Sequence, residues 1–414
     1  MKIFKSLEKE NFLIIQLLFL ICLFPITYLL GNSIINLFLF LISITYLIFI
    51  FKNKFFFDFK DISFQSLILL WLTYLINLLF SQDPSLSISR VLKFFFIIFF
   101  ISAIKYIFKY KNYLFEKFIF KTWSIIFIIV LIDLIFEYFF GHNLTGNTSY
   151  MPGRLTSFIG DELVIGYFYI GFALFAFVYF HQEFENNKYN YLILILLVGV
   201  SFLIGERSNF IKFFLTIFIF FFIAYKLSIK KKIIGLIVTI IIIISLIYSS
   251  VNYKTRFIAQ MPNIFEKNGI KKFMLNSTYG SHFNTGINVF KKNYIFGVGI
   301  KNYRVESVKE IYTKQNKDFR FQIMGTHPHQ IHFEILSETG LFGFLSFTIF
   351  ILYSIFYSLK SYFKSRNKYQ LSAILFILCT LIPFLPSGSF FSTYTSVLFW
   401  LNFAIMTAYN KRKI

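Results

Sequence analysis

Apolar residues in this chain arrive in blocks close to 20 residues long, and no other feature constrains the fold as strongly. A helix rises 1.5 Å per residue, so about 20 apolar residues cross the roughly 30 Å hydrocarbon layer of a bilayer. Inside lipid a continuous helix satisfies all of its own backbone groups, which makes a helical bundle the expected answer to such blocks. Spans are read at 11–30, 32–51, 62–80, 91–108, 119–140, 162–180, 190–205, 208–226, 233–250, 330–358, 369–386 and 389–409. The expected fold is an all-α integral-membrane bundle of about twelve transmembrane helices, with one long loop between the ninth and tenth. The chain then divides into 1–250, 251–329 (the loop) and 330–414. The tenth block exceeds what a span requires and predicts an internal turn or a strong tilt. No repeat of 20–50 residues and no inverted symmetry between the halves is visible.

Composition agrees. Hydrophobic residues make up 57% and charged residues 14%, against about a quarter charged in soluble domains. A formal charge of +22 invites a nucleic-acid partner, but topology accounts for most of it. Phe, Ile, Lys, Asn and Tyr are abundant together, as an AT-rich coding sequence produces. With the N-terminus inside, the inner segments hold Lys2, Lys5, Lys9, Lys52, Lys54, Lys60, Lys105, Lys109, Lys111, Lys117, Lys121, Lys188, Lys226 and Lys230 through Lys232. Lys360, Lys364, Arg366, Lys368, Lys411, Arg412 and Lys413 continue that series. The short outer loops hold only Arg90, Arg154 and Arg207. This asymmetry places both termini in the cytoplasm and segment 251–329 outside, where its thirteen basic residues are tolerated because long loops escape the rule. The reading is membrane lipids as surroundings and no nucleic acid as partner. Cys22 and Cys379 lie inside apolar blocks without CxxC or His/Cys spacing, so neither a disulfide framework nor a metal site is implied. The first block lacks a small-residue cleavage site and reads as a span rather than a leader.

Polar residues in such a chain must be compensated, so they mark candidate sites. MPGRLTSFIGDELVIG puts Arg154 in a short outer loop and Asp161 with Glu162 at a helix start, where the helix dipole favours carboxylates. GERSNF puts Arg207 at the outer interface, either snorkelling, paired with Glu206, or gripping a phosphate with its planar fork. In the loop, FGVG forms a glycine turn whose Gly297 and Gly299 amides could approach an anion, with Lys291, Lys292 and Arg304 around it. THPHQIHFEILSETGLFG places His327 and His329 where the loop enters the tenth span, with Pro328 suited to the first helical turn. The positive helix end keeps His329 neutral, and a histidine titrates near ambient pH, as a general base should. The rival reading pairs His329 with His332 on one helical face for a metal, but no carboxylate or Cys stands at ligand spacing. Asp133 and Glu137, one turn apart, read as structural partners, with outer arginines or a proton relay as alternatives.

These motifs resemble the O-antigen ligase and O-antigen polymerase superfamily of bacterial envelope glycosyltransferases, over roughly residues 150–347. HPHQIHFEILSETGLFG is similar to the family's His-Pro-His-Asn followed by Glu-x-Gly-x-x-Gly, with His329 at the key histidine and Glu338, Gly340 and Gly343 after it. Gln330 stands where Asn is usual. YIFGVG resembles the Pro-x-x-Gly-x-Gly pattern, with Tyr294 in the Pro position. The arginine that precedes it in the family is replaced by His282, leaving Arg256 or Arg304 as substitutes. Glu206-Arg207-Ser208 looks like the Ser-Arg pair after the mid-chain span, and Arg154 through Asp161 like the earlier Arg-Phe-acidic segment.

The resemblance implies a metal-independent, inverting transfer of a glycan from undecaprenyl diphosphate, without cofactors, on the periplasmic face of the bacterial inner membrane. Arg207 and Arg154 would hold the donor diphosphate, with Arg304, Lys291 and Lys292 assisting, and His329 would activate the acceptor hydroxyl. His327, Gln330, His332, Glu338 and His282 are supporting candidates. The favoured activity is that of a ligase onto lipid A-core. The alternatives are O-antigen polymerase, then protein O-oligosaccharyltransferase, then a polysaccharide flippase. A transporter should carry ionisable residues at the midplane and pseudo-symmetric halves, whereas here the polar residues collect at one interface.

Overall fold

A computed structural model describes residues 11–53, 61–110, 113–160, 164–183, 190–225, 228–259, 268–313 and 325–410. Asp161, Glu162, Lys2, Lys5, Lys9, Lys54, Lys60, Lys111, Lys188, Lys226, Lys411, Arg412 and Lys413 lie outside the described residues. No strand occurs among those described. Every apolar block of the sequence coincides with a helix: α1 Phe12–Leu30, α2 Asn32–Lys52, α3 Ile62–Leu79, α4 Pro84–Tyr110, α5 Tyr113–Phe140, α6 Ile165–Glu183, α7 Asn190–Leu203, α8 Arg207–Ala224 and α9 Ile229–Tyr248. The segment after α9 contributes α10 Gly269–Asn276 and α11 Thr278–Lys292, before α12 Ile331–Ser365, α13 Lys368–Thr380 and α14 Thr393–Ala408 complete the bundle.

Nine of the described helices are long and apolar enough to cross a membrane. The shorter α7, α13 and α14 have 14, 13 and 16 residues, or roughly 20–24 Å of helix against about 30 Å of hydrocarbon. Burial explains α14: all of its residues are buried, and Trp400 meets Phe94 of α4 edge-on at 5.3 Å and Phe350 of α12 at 6.3 Å. At the opposite extreme, α9 has no buried residue, and its Ile and Leu side chains are what a helix bathed in lipid presents.

The described parts of the connections, 80–83, 141–160, 204–206, 249–259, 293–313, 325–330 and 381–392, knit together at one end of the bundle. Gln82 N–H donates to the Val298 carbonyl (3.0 Å), Leu155 N–H to Ile204 (3.2 Å), and Ser387 N–H to His329 (2.8 Å). Asp133 and Glu137 serve this end. Asp133 accepts from the Leu144 N–H at 2.7 Å and the Ser157 hydroxyl at 2.5 Å. Glu137 accepts from the Thr156 and Ser157 N–H groups at 3.0 and 2.7 Å. Their role is structural, but the partners are loop amides rather than arginines.

The long tenth block is one 35-residue element broken at Gly340, whose φ of 66° and ψ of −170° are non-helical. The break frees backbone groups that buried structure must satisfy, and the FGVG turn satisfies them. Val298 N–H donates to Ser337 (3.0 Å) and Gly299 N–H to Glu338 (2.9 Å), while Leu341 and Phe342 N–H groups donate to Tyr294 and Ile295 (2.8 and 3.1 Å). Asn77 of α3 donates to the Phe296 and Glu338 carbonyls at 2.5 and 3.1 Å. A Cβ on Gly297 would stand 2.5 Å from the Glu338 carbonyl carbon and 2.6 Å from the Gly340 nitrogen, so both glycines are required by the close backbone approach. The Gly299 N–H is spent on the helix and the Gly297 N–H on the Asn293 carbonyl (2.8 Å), which corrects the expectation that they face an anion.

Candidate active site

Gln330 begins the site. It is the N-cap of α12, its side-chain oxygen accepting from the Phe333 N–H at 3.0 Å. A cap needs a side-chain oxygen in reach of the first turn, and the glutamine amide supplies one where the resembling family has Asn. Because α12 starts at Ile331, Pro328 lies before the cap and not in the first turn. His329 precedes it with a left-handed φ of 55°, a conformation that costs a non-glycine residue about 1–2 kcal/mol. The Ser387 N–H bond to its carbonyl helps to hold that shape.

This turn stacks three histidines. His329 lies 4.1 Å from His327 and 4.7 Å from His282 between ring centroids. His282 arrives from the first turns of α11, and Tyr279, one turn earlier on the same helix, meets His329 edge-on at 5.8 Å. Burial pushes all three imidazoles down to about 4 from 6.5, helped by His329 acting on His282, Lys301 on His327 and His327 on His329. They are therefore neutral at neutral pH. His329 is a weaker base than a free histidine, which corrects the expectation of a pKa near ambient. His282 Nδ1 and His327 Nε2 are buried without a hydrogen-bond partner among the described residues. Unmet ring nitrogens beside a third neutral imidazole suit a hydroxyl-bearing ligand. His332 is elsewhere: its Nε2 lies 2.8 Å from the Leu381 carbonyl. Since His329 precedes the helix, the two do not share a face, and the metal-pair geometry fails.

A second group is linked to the first electrostatically, through Tyr279 and Arg256. Arg154 Nη2 lies 3.3 Å from Glu206 Oε1. Arg207 Nη1 donates to the Arg256 carbonyl at 2.9 Å, and Arg256 Nη2 to the Gly205 carbonyl at 3.0 Å. Glu206 thus pairs with Arg154 and not with Arg207; its carboxyl is also held by the Gly166 N–H (3.0 Å) and Asn209 (2.5 Å). Burial, and then repulsion from Arg154 and Arg207, holds the Arg256 guanidinium below its ordinary range, partly offset by Tyr279 and Glu206. Among the described contacts, three guanidiniums gather around Glu206 and two main-chain carbonyls, and their planar forks are the shape that grips phosphate oxygens.

Other candidates are placed apart. Lys291 and Lys292 are exposed at the far end of α11, roughly 14 Å along its axis from His282. Lys292 lies over the Tyr312 ring at 4.9 Å. Arg304 is exposed and acts on Arg90 and His327 instead of the arginine trio. Glu338 is a scaffold residue whose carboxylate accepts the Lys301 N–H at 2.8 Å. Lys301, Glu334 and Ser389 went unseen in the sequence. Lys301 Nζ donates to Ser389 Oγ and that hydroxyl to Glu334 Oε1, each at 2.5 Å. Only the i, i+3 spacing of Tyr279 and His282 signals Tyr279 in advance.

Residues 192–348 match the family model described as O-antigen ligase. That match supports the O-antigen ligase and polymerase superfamily. Its members are glycosyltransferase-like membrane enzymes acting on polyprenyl-linked glycans and lipid acceptors. The matched segment, less than half of the chain, contains Arg207, Arg256, Tyr279 and all three stacked histidines, while Arg154 precedes it. No curated protein matches the sequence.

Protonation should be visible in stability. The three histidines have folded pKa values below the unfolded 6.5, so their contribution is full above pH 6.5 and is lost as pH falls toward about 4. Thermal melts of the detergent-solubilised protein should show Tm dropping across that window, and less so in His282→Asn. A wild-type Tm that stays level from pH 6.5 to 4 would contradict the buried neutral histidines.

Proposed function

We propose that this protein transfers a glycan from undecaprenyl diphosphate to lipid A-core on the periplasmic face of the bacterial inner membrane, as an inverting, metal-independent ligase. The observation that carries the proposal is the arginine trio and the histidine cluster flanking Tyr279, which packs on His329 and acts electrostatically on Arg256. One group suits a diphosphate and the other a hydroxyl. Arg207, Arg154 and Arg256 bind the donor diphosphate. The acceptor oxygen attacks the anomeric carbon from the opposite side, and its proton passes to an imidazole nitrogen of His329. The sugar–phosphate bond breaks and its electron pair leaves on the polyprenyl diphosphate, whose growing charge the guanidiniums stabilise. That stabilisation is what a divalent cation provides in other phosphate-leaving reactions. An apolar cleft of about 390 Å³ between α7, α8 and α9, lined by Leu194, Val198, Phe214, Ile217 and Ile234, suits an isoprenoid chain that runs along these helices away from Arg207 toward Lys231.

The test is the glycolipid profile of a strain lacking the gene. Long glycans stranded on undecaprenyl diphosphate with bare lipid A-core are expected of a ligase. Lipid A-core capped by a single repeat would mean a polymerase. Complementation with Arg207→Lys should restore less than about a tenth of the glycan, because an ammonium lacks the fork that grips two oxygens; full restoration would remove Arg207 from the donor site.

A further inference from the structure

A second basic group acts electrostatically on the histidine cluster, through His327, as the arginine trio and Tyr279 act on each other. Arg90 and Lys93, a turn apart on α4, both donate to Thr393 Oγ1 at the start of α14, at 3.4 and 2.7 Å. Lys301 is buried, with a left-handed φ of 67°, and Arg304 is exposed three residues later. Arg304 and Arg90 repel one another, Lys93 faces both Arg90 and Lys301, and both Lys301 and Arg304 act on His327. Against these four basic side chains stand Glu334 and Glu338, which both act on Lys301, Glu338 acting on Arg90 as well. Glu334 is already held by Ser389 and by the Phe390 N–H at 2.7 Å, and Glu338 by the Lys301 N–H. Gathering like charges out of water is costly unless an anion joins them. The exposed Arg304 side leaves this group open to one.

We propose that Arg90, Lys93, Lys301 and Arg304 form a second anion subsite, which holds a phosphate group of the acceptor glycolipid and so presents the acceptor hydroxyl to His329. This rests on the transfer reading above. A transferase must bring two substrates to one base, and a donor diphosphate held by the arginine trio has no further phosphate for this second group. The acceptor is the substrate left to fill it.

The experiment uses the full chain in lipid nanodiscs, an undecaprenyl-diphosphate glycan as donor, and lipid A-core either intact or dephosphorylated as acceptor. The wild type should show an acceptor KM about tenfold higher for the dephosphorylated lipid, the scale of one charge-assisted contact. Arg304→Gln, an exposed position, and Arg90→Gln should each raise the KM for intact acceptor about tenfold, narrow the difference between the two lipids, and leave the donor KM unchanged. Equal use of both lipids by the wild type, or variants that raise the donor KM instead, would overturn the subsite while leaving the transfer reading intact. If the wild type transfers to neither lipid, the transfer reading falls, and direct binding decides the subsite. Tighter binding of intact than dephosphorylated lipid, lost in Arg304→Gln, supports it; equal binding overturns it.

Discussion

His329→Ala is expected to slow glycan transfer by about 10²–10⁴-fold, the range lost when a positioned general base is removed, while the donor KM stays within about threefold. The split follows from the geometry. His329 packs against His327 and Tyr279, and Tyr279 acts electrostatically on Arg256, whose guanidinium would hold the diphosphate. Removing it costs the proton acceptor and leaves the arginine trio in place. Alanine at a φ of 55° also carries backbone strain, so His329→Asn is the better-matched control, since Asn tolerates left-handed backbone and is no base. The two variants should be equally inactive. Activity within threefold of wild type in either one would place the base elsewhere. For the wild type, the rate should hold as pH falls from 7 to about 5 and drop only nearer 4, where His329 is protonated.

Gly340→Ala should have the largest effect on stability, a loss of roughly 2–6 kcal/mol from a backbone conformation open almost only to glycine plus overpacking at the contact. A Cβ there would stand 2.5 Å from the Gly297 nitrogen and 2.5 Å from the Ile295 carbonyl carbon. Neither can retreat without breaking the four backbone bonds that tie FGVG to α12. Gly199→Ala is the contrast: that glycine is helical with nothing within 4 Å of the added carbon, and the change should be neutral or slightly stabilising. Melting temperature and folded yield in detergent read both variants. Similar Tm values for Gly340→Ala and wild type would mean that the break in α12 is not enforced by this contact.

The apolar blocks announced the helices because a long continuous hydrophobic run in lipid satisfies its backbone within the segment only as a helix. Length alone was ambiguous at α12, where a block of excess length signalled a turn without locating it. Gly340 locates it, but only the partner loop shows why a glycine is needed there. Candidate residues were placed by local context: His329 beside the α12 cap, Arg207 at a tight turn between apolar helices. Arg256 and His282 stood out only as candidates for one missing arginine, and the fold assigns them to different groups. Arg256 joins Arg207, and His282 joins His329. Lys291 and Lys292 read as donor ligands because they are near FGVG in sequence, yet a helix carries them away from the histidines. Lys301, Glu334 and Ser389 were illegible because their partnership links a loop, a helix and a connection more than 50 residues further along. Residue type and spacing do not encode such contacts.

The most direct test of the central claim is transfer by the purified full-length protein in lipid nanodiscs, supplied with an undecaprenyl-diphosphate glycan and lipid A-core in the presence of a metal chelator. Glycosylated lipid A-core with inverted anomeric configuration is the predicted product, with the rate lost in His329→Asn and the donor KM raised in Arg256→Ala and Arg207→Ala. No transfer by wild-type protein that binds both lipids, or undiminished transfer by His329→Asn, would contradict the account.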